Sequence, residues 1–296
     1  MIQRILHARI HAAIPLLFVL LPFLLAGCMR LGVRSASTLL PEWRNSLFEE
    51  CDPVLAREAL PANLKMLEGL LRADPKNRRV LVTLSMGFTG YSMMFLEDEA
   101  PKRASALLLR ARDYGLRALG TRGLEIEKAA LHPERLSCLL ETLGPEHLEP
   151  LFWSALAWSN WIRLNLDDSG AVARLNAAQA CIERTIELDG EYFFGLPFVA
   201  MGTVLSARPP LLGGNPEEAK LNFDRAVELN QGRFLLAKLY LARYYAVRVQ
   251  DRILFLDLMD EIESSDPRMM KQACLFNAVA RRQAEKLRSQ VDTLFF

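Results

Sequence analysis

Apolar residues recur at helical spacing along most of the chain, and this pattern most strongly limits the folds it can adopt. Val172, Leu175, Ala178, Ile182 and Ile186 are separated by three, three, four and four positions, which places all five on one face of a helix. The alternating patterns that would indicate strands are nearly absent. The spacing therefore predicts an all-α chain.

Helix boundaries follow known start and stop signals. Asn215 can cap a helix, Pro216 suits its first position, and Glu218 stands where a capping box requires an acidic residue. Two Asp-Pro pairs, ending at Pro75 and Pro267, indicate helix ends. Together with the apolar spacing, these signals predict helices over residues 38–50, 53–73, 77–97, 101–119, 133–142, 146–166, 169–189, 191–207, 216–230, 232–249, 251–265 and 271–290.

A recurring arrangement of small and large residues indicates that these helices pair. Ala219, Phe223 and Ala226 resemble the second helix of a tetratricopeptide repeat, in which small residues let two helices approach and the large one fills the groove between hairpins. The same arrangement begins again at Asn63, Ala111, Ala178 and Phe255. Because these starts are unevenly spaced, the pattern predicts tetratricopeptide-like helical hairpins in a compact curved bundle instead of a regular solenoid.

The N-terminus has the features of a secretion signal. Arg4 and Arg9 precede an apolar run that is too short and too rich in proline for a membrane-spanning helix. The run ends in Ala26, Gly27 and Cys28, which resemble the lipobox of bacterial lipoproteins. That resemblance implies cleavage before Cys28 and acylation of this cysteine. We therefore predict a lipoprotein signal peptide over 1–27, a lipidated N-terminal tether over 28–37 and a single helical domain over 38–296.

The lipid anchor would be the only attachment of the chain to a membrane, and several acyl chains make such an anchor stable. Met29, not aspartate, follows Cys28. In bacteria that sort lipoproteins this favours the outer membrane. The predicted location is therefore the periplasm, on a lipid anchor.

Charge and motif content argue against nucleic-acid binding and catalysis. The formal net charge is +1, and it becomes −1 when residues 1–27 are removed, because that segment carries two arginines and no acidic residue. A nucleic-acid-binding protein would show a basic excess. The sequence contains no His-Glu-x-x-His, no Gly-x-Ser-x-Gly, no Walker loop and no Rossmann fingerprint. We predict no enzymatic activity, no cofactor and no metal site.

Four cysteines remain once Cys28 is assigned to the anchor: Cys51, Cys138, Cys181 and Cys274. They are far apart and form no Cys-x-x-Cys pair, so a zinc site or thioredoxin-like chemistry is unsupported. Three disulfide pairings are open to them in an oxidising compartment. Because all four lie within helical patterns, the sequence favours buried free thiols.

Aromatic residues concentrate in the predicted helices 146–166 and 191–207. Core packing explains most of them, and the alternative is an apolar pocket or pore in which Asn160 and Arg208 are the few polar groups. Pro209 and Pro210 would stiffen the lining loop, and Gly213 with Gly214 would form a tight turn. The candidate lining residues are Trp158, Asn160, Trp161, Tyr192, Phe198, Arg208, Pro209, Pro210 and Tyr244.

Several sequence blocks together resemble the TRAP transporter T-component (TatT) family. The most specific is Pro-Leu-Leu-Gly-Gly-Asn-Pro-Glu-Glu-Ala at 210–219, and the residues that we take as structural markers are Gly202, Gly213, Gly214, Asn215 and Asn277. Further matching blocks lie at 153–162, 188–195, 242–246, 277–280 and 292–296. The resemblance covers nearly the whole chain after the signal peptide.

The resemblance implies a non-catalytic periplasmic lipoprotein with tetratricopeptide-like hairpins. Such a protein works beside the solute-binding protein of a TRAP transporter. Family members are expected to assemble as homo-oligomers, with trimers expected from the family, and to carry a pore through each protomer that admits an apolar ligand. The alternative is a tetratricopeptide-like adaptor lipoprotein for envelope assembly or peptidoglycan enzymes, whose working surface would be an outer concave groove.

Overall fold

The structure is a computed structural model that describes residues 30–295. All regular secondary structure in this range is helical, without a β-strand. The predicted all-α fold class is therefore confirmed. The predicted signal peptide, the anchor Cys28 and the sorting residue Met29 lie outside the described residues, as does Phe296.

Residues 30–36 are helical and continue through the 3₁₀ turn Ser37–Leu39 into the first long element. Two segments are π-helical: π1 (Ser92–Leu96) and π2 (Leu241–Ala246). The segment π1 directly follows the α-helix that ends at Tyr91, and π2 directly follows the α-helix that ends at Tyr240. The α-helices are α1 (Leu40–Phe48), α2 (Pro53–Ala73), α3 (Arg78–Tyr91), α4 (Pro101–Ala118), α5 (Thr121–Ala129), α6 (Pro133–Glu141), α7 (Leu148–Arg163), α8 (Ser169–Val172), α9 (Leu175–Asp189), α10 (Tyr192–Ala207), α11 (Pro216–Leu229), α12 (Leu235–Tyr240), α13 (Arg252–Ser264), α14 (Cys274–Arg288) and α15 (Val291–Leu294).

The predicted boundary signals act as expected at several helix ends. The Asn215 side chain accepts a hydrogen bond from the Glu218 amide at 3.1 Å, and its Nδ2 donates to the Glu218 carboxylate at 3.1 Å. Helix α2 ends at Ala73, directly before the first Asp-Pro pair, and α13 ends at Ser264 shortly before the second.

Other boundaries differ from the prediction because tertiary packing decides them. Helix α5 lies in a segment predicted to be non-helical, and burial of Ile126 and Ala129 against the neighbouring helices stabilises it. The predicted helix 169–189 is two helices, since Arg174 leaves helical geometry at φ −101° and ψ 4°. The predicted helices 77–97 and 232–249 each change from α to π geometry before they end.

The beginning of the predicted helix 191–207 is not regular. Phe193, Phe194 and Gly195 have left-handed backbone angles, with φ of 49°, 63° and 78°. A left-handed non-glycine residue costs about 1–2 kcal/mol, so packing must offset it. The Phe193 ring provides this packing, since it contacts the rings of Phe48 at 5.3 Å and Phe276 at 5.3 Å between centroids.

The helices form a ring that closes on itself. Along the ring α2 packs on α3, α3 on α4, α4 on α7, α7 on α9 and α9 on α10. Helix α10 packs on α11 and π2, α12 packs on α14, and α14 returns to contact α1 and α2. The two ends of the described chain therefore meet, and the ring encloses the interior.

The hairpin of α10 and α11 shows the predicted pairing of small and large residues. Ala219, Phe223 and Ala226 are fully buried. A Cβ atom added at Gly202 would lie 2.8 Å from the Phe223 ring, so only glycine allows α10 to approach α11 this closely. Small residues therefore set the distance between these two helices.

The segment predicted as a tether over 28–37 packs on the domain from residue 30 onward. Val33 is buried, and Arg34 Nε lies 3.2 Å from Asp74 Oδ2. One residue, Met29, separates residue 30 from the predicted anchor at Cys28.

A disulfide between Cys51 and Cys274 joins the loop after α1 to the first residue of α14, with the two Cα atoms 5.1 Å apart. The prediction that all four cysteines are buried free thiols is therefore wrong. Cys138 is a free thiol but exposed, and only Cys181 is both free and buried. The pairing brings together residues 223 positions apart, which helical periodicity cannot indicate. Burial, with a smaller effect of Glu183, raises the pKa of the Cys181 thiol to about 12.

Removing the disulfide with a paired Cys51→Ala and Cys274→Ala exchange should strongly destabilise the fold. Closing so long a loop limits the entropy of the unfolded chain, and its loss costs on the order of 3–5 kcal/mol. Urea unfolding followed by circular dichroism measures this difference. Cys138→Ala is the matched control, because this exposed thiol has no disulfide partner, and it should leave the unfolding midpoint unchanged. Equal midpoints for the paired variant and the wild type would contradict the role of the disulfide in closing the ring.

Candidate functional site

Two adjacent cavities lie inside the helical ring. The first, which we call the α1 cavity, has a volume of about 310 Å³ and is bounded by α1, α2, α3, α7, α12 and α14. The second, the Arg208 cavity, has a volume of about 210 Å³ and is bounded mainly by α7, α9 and α10. Both are lined mostly by apolar side chains, as ligand pockets usually are.

The two cavities meet at four shared side chains, which we call the waist: Met93, Leu156, Leu196 and Tyr240. These residues come from π1, α7, α10 and α12, so distant parts of the ring meet at this point. The interior therefore holds two adjacent apolar cavities, with these four side chains at the boundary between them. Methionine suits such a position because its side chain is flexible and adapts to the shape of its neighbours.

Helix α1 covers the α1 cavity. Trp43, Leu47 and Phe48 line the cavity from this helix. Arg44 Nη1 holds the helix to α7 through Glu149 Oε1 at 2.8 Å. The disulfide fixes the loop that follows the helix. The cover is thus attached on one side by an ion pair and at its end by a covalent bond.

An aromatic cluster forms the floor beside this cover. The Tyr192 hydroxyl accepts a hydrogen bond from Trp153 Nε1 at 2.9 Å and donates to Glu149 Oε1 at 3.4 Å. Burial, with a smaller effect of the Glu149 carboxylate, raises the pKa of Tyr192 well above its ordinary value. The phenol therefore stays neutral and serves to orient Trp153, which lines the α1 cavity.

Three of the predicted lining residues reach the Arg208 cavity: Asn160, Arg208 and Pro209. Asn160 Nδ2 donates to the Leu156 carbonyl oxygen at 2.8 Å, one turn back along α7. Arg208 caps α10 in an extended conformation, and its guanidinium donates to Gln179 Oε1 at 2.6 Å and to the Leu175 carbonyl oxygen at 2.9 Å. These three predicted residues therefore lie together at one end of the Arg208 cavity.

The other predicted lining residues line neither cavity: Trp158, Trp161, Tyr192, Phe198, Pro210 and Tyr244. Trp158 lies on the side of α7 that faces α4, where the Arg112 guanidinium packs over its ring. Arg112 Cζ is 5.5 Å from the centre of the Trp158 ring. Phe198 lies over Gly190, where an added Cβ would meet its ring at 2.7 Å. Pro210 is exposed. Aromatic content alone could not reveal which side of a buried helix faces the cavity.

Tyr244 instead belongs to a buried ionic cluster beside the waist. Its hydroxyl donates to Glu97 Oε1 at 3.2 Å. Arg163 Nη2 lies 2.6 Å from Glu97 Oε2, and Arg243 Nη2 lies 3.4 Å from Glu97 Oε1. The Glu97 side chain is only 5% exposed. Burial opposes the charge on Arg163, but Tyr244 and Glu97 outweigh it and raise the pKa of this guanidinium.

Asp98 extends the cluster towards α14. Arg243 Nη2 lies 2.6 Å from Asp98 Oδ1, and Lys286 Nζ lies 3.7 Å from Asp98 Oδ2. Burial opposes the charge on Asp98, but the two cations outweigh it and lower the pKa of the carboxyl. No sequence motif predicted this cluster, and its local signal is the acidic run 97–99 at the end of the predicted helix 77–97.

The structural marker residues shape the turns around the site. Asn277 is fully buried. Its side chain accepts a hydrogen bond from the Leu235 amide at 2.8 Å and donates one to the Arg233 carbonyl oxygen at 2.9 Å. These two hydrogen bonds fix the start of α12. Gly213 has φ +84°, and a Cβ added at Gly214 would lie 2.0 Å from the Arg208 carbonyl oxygen. Glycine at these two positions therefore lets the loop fold back on Arg208.

Between residues 30 and 295 no group of three or more His, Cys, Asp or Glu side chains is arranged to hold a metal ion. No helix in the same range is both long enough and apolar enough to cross a bilayer.

The fold and its interior define an all-α protein in which a closed ring of helices surrounds a divided apolar cavity. The pattern of the TRAP transporter T-component family matches residues 49–295, nearly the whole of the described chain. The chain belongs to the TRAP transporter T-component family. It is thus an accessory component of TRAP transporters. The T-component family is not a known enzyme family. No curated protein sequence matches the chain significantly.

Glu97→Gln should strongly destabilise the protein. It leaves the buried Arg163 without a carboxylate, and breaking a buried ion pair in this way costs about 3–5 kcal/mol. Chemical unfolding of the variant and the wild type measures the loss. Glu99→Gln is the control, because Glu99 is half exposed and its ion pair with Arg57 contributes at most about 1 kcal/mol. Similar losses for both variants would show that the cluster does not hold the waist region together.

Proposed function

We propose that the chain is a periplasmic lipoprotein that binds the solute-binding protein of a TRAP transporter and holds an apolar ligand in its divided cavity. The observation that carries the ligand part of this proposal is the adjacency of the α1 cavity and the Arg208 cavity, which share the four side chains of the waist. A concave space lined by apolar side chains with a few polar groups is the usual form of a small-molecule site.

The periplasmic location is supported by two independent features. The disulfide between Cys51 and Cys274 is a type of bond that persists in oxidising compartments such as the bacterial periplasm. The N-terminal charge, the apolar run and the lipobox ending at Cys28 are those of an exported lipoprotein. Met29 favours the outer membrane as the site of anchoring.

The partner part of the proposal rests on family membership. An accessory component of a TRAP transporter in the periplasm would meet the solute-binding protein, which is the soluble part of such a transporter. The resemblance also supports a homo-oligomer, with a trimer as the expected state. The ring then presents one divided cavity in each protomer.

Filling the waist should weaken apolar binding. If the proposal holds, the soluble chain of residues 29–296 binds the neutral dye N-phenyl-1-naphthylamine. The larger side chain in Leu196→Trp should fill the waist and weaken dye binding about tenfold, equivalent to about 1.4 kcal/mol. Fluorescence titration measures the affinity, and thermal unfolding shows whether the variant remains folded. Leu221→Trp is the control, because Leu221 is 69% exposed on α11. Absence of dye binding to the wild type would refute the ligand part of the proposal.

Exchange of the proposed anchor should separate the chain from membranes. Cys28→Ala removes the thiol that takes the lipid, so the variant should lose labelling by radioactive palmitate and should no longer sediment as a lipoprotein. Labelling of the variant at the wild-type level would contradict the anchor.

Copurification from cells that produce the wild-type chain should yield a TRAP solute-binding protein, identified by mass spectrometry. Recovery of envelope-assembly or peptidoglycan enzymes instead would favour the adaptor function.

A further inference from the structure

The Arg208 guanidinium is a buried cation at the polar end of an apolar cavity. The residue is 5% exposed and lines the Arg208 cavity. An arginine side chain keeps its charge at any physiological pH. Burial of a charge is costly unless an opposite charge or several hydrogen bonds compensate for it. The surroundings of Arg208 therefore indicate whether the protein itself provides this compensation.

The partners of Arg208 in the protein are neutral. Its two hydrogen bonds go to the Gln179 amide oxygen and the Leu175 carbonyl oxygen. Between residues 30 and 295 its guanidinium makes no ion pair. The Glu183 carboxylate, which accepts a hydrogen bond from Gln179 Nε2 at 2.8 Å, acts on Arg208 through Gln179 and electrostatically from beyond contact distance. A guanidinium has five N–H donors, and Nε is buried without any partner in the described residues.

Arg163 lines the same cavity and shows the contrast. The Nε of Arg163 is also buried without a partner in the described residues, but its charge is matched by Glu97 at 2.6 Å. The other polar side chains of the cavity are also engaged: Ser159 and Thr203 donate to backbone carbonyl oxygens of their own helices, and Asn160 accepts from Arg163 at 3.1 Å. Among the described residues, Arg208 is thus the charged group of this cavity that has no carboxylate in direct contact, and Glu183 compensates for its charge only from a distance.

The loop after α10 holds Arg208 in place. A Cβ at Gly214 would collide with the Arg208 carbonyl oxygen, and the Asn215 amide donates to the Leu205 carbonyl oxygen at 3.1 Å. The backbone at position 208 is therefore fixed against the end of α10. A planar guanidinium in a fixed position is well suited to two parallel hydrogen bonds with a carboxylate.

We propose that the ligand of the divided cavity is a single-chain amphiphile with a carboxylate head, which Arg208 binds while the apolar tail extends past the waist towards the α1 cavity. This inference rests on the proposed apolar binding function and adds the chemical class of the ligand. The carboxylate of the ligand supplies the opposite charge in direct contact with the Arg208 guanidinium. The apolar side chains on both sides of the waist cover the tail.

Competition between matched amphiphiles tests the proposal. The soluble chain of residues 29–296 is loaded with N-phenyl-1-naphthylamine, and dodecanoate or 1-dodecanol is added at a pH at which the acid is ionised. The two probes differ only in the head group. We expect dodecanoate to displace the dye at a concentration about tenfold lower than the alcohol, as a charge-assisted hydrogen bond would produce. If dodecanoate and 1-dodecanol displaced the dye at equal concentrations, the carboxylate assignment would be overturned while apolar binding remained intact. If the dye itself did not bind, the proposed function would be refuted.

Variants assign the preference to Arg208. In Arg208→Met the ratio of the two displacing concentrations should fall to about one, and Arg208→Lys should retain part of the preference because it keeps the charge. Arg225→Met is the matched control, because Arg225 is exposed on α11 and pairs only with Glu228 in the same helix, and it should keep the wild-type ratio. A full preference in folded Arg208→Met would overturn the role of Arg208. If Arg208→Met does not fold, the wild-type ratio and Arg208→Lys still decide the proposal.

Discussion

The closure of the helical ring is the contact on which the rest of the structure depends. Helix α14 returns to α1 and α2, and the disulfide between Cys51 and Cys274 makes this contact covalent. The ion pair between Lys271 and Glu49, with Nζ and Oε2 3.0 Å apart, lies beside it. Without closure, α1 would no longer cover the cavity and the interior would open to water. A cross-link across so long a stretch of sequence limits the unfolded state more than a local one would.

A second constraint acts across the middle of the ring. The segments π1 and π2 directly follow α3 and α12 with a change of helical geometry. Glu97, the residue after π1, faces Arg243, which lies within π2. Met93 of π1 and Tyr240, the last residue of α12 before π2, lie at the waist. Single turns of π-helix often mark functional positions. Here the ion pairs hold the two segments together, so the width of the waist depends on the buried charge cluster.

The two ends of the interior differ in chemical character. The α1 cavity is bordered by an aromatic cluster that includes Phe48, Phe193 and Phe276, whose rings contact one another edge to face. The Arg208 cavity ends at a buried guanidinium with neutral partners. This difference in polarity between two adjoining cavities favours an elongated ligand with one polar end. It also explains why the residues around Arg208 form a tight loop, since a charge needs a fixed position to select its partner.

The sequence by itself determined the all-α class and most helix boundaries, because these depend on local periodicity and capping residues. Only the tertiary structure decided that Cys51 pairs with Cys274, that α1 covers a cavity and that Glu97 is buried among arginines. It also showed that Trp158 and Tyr244 face away from the cavities. These features arise from contacts between residues far apart in the chain, and a helix that is apolar on nearly all sides carries no sequence signal for the side that faces the interior.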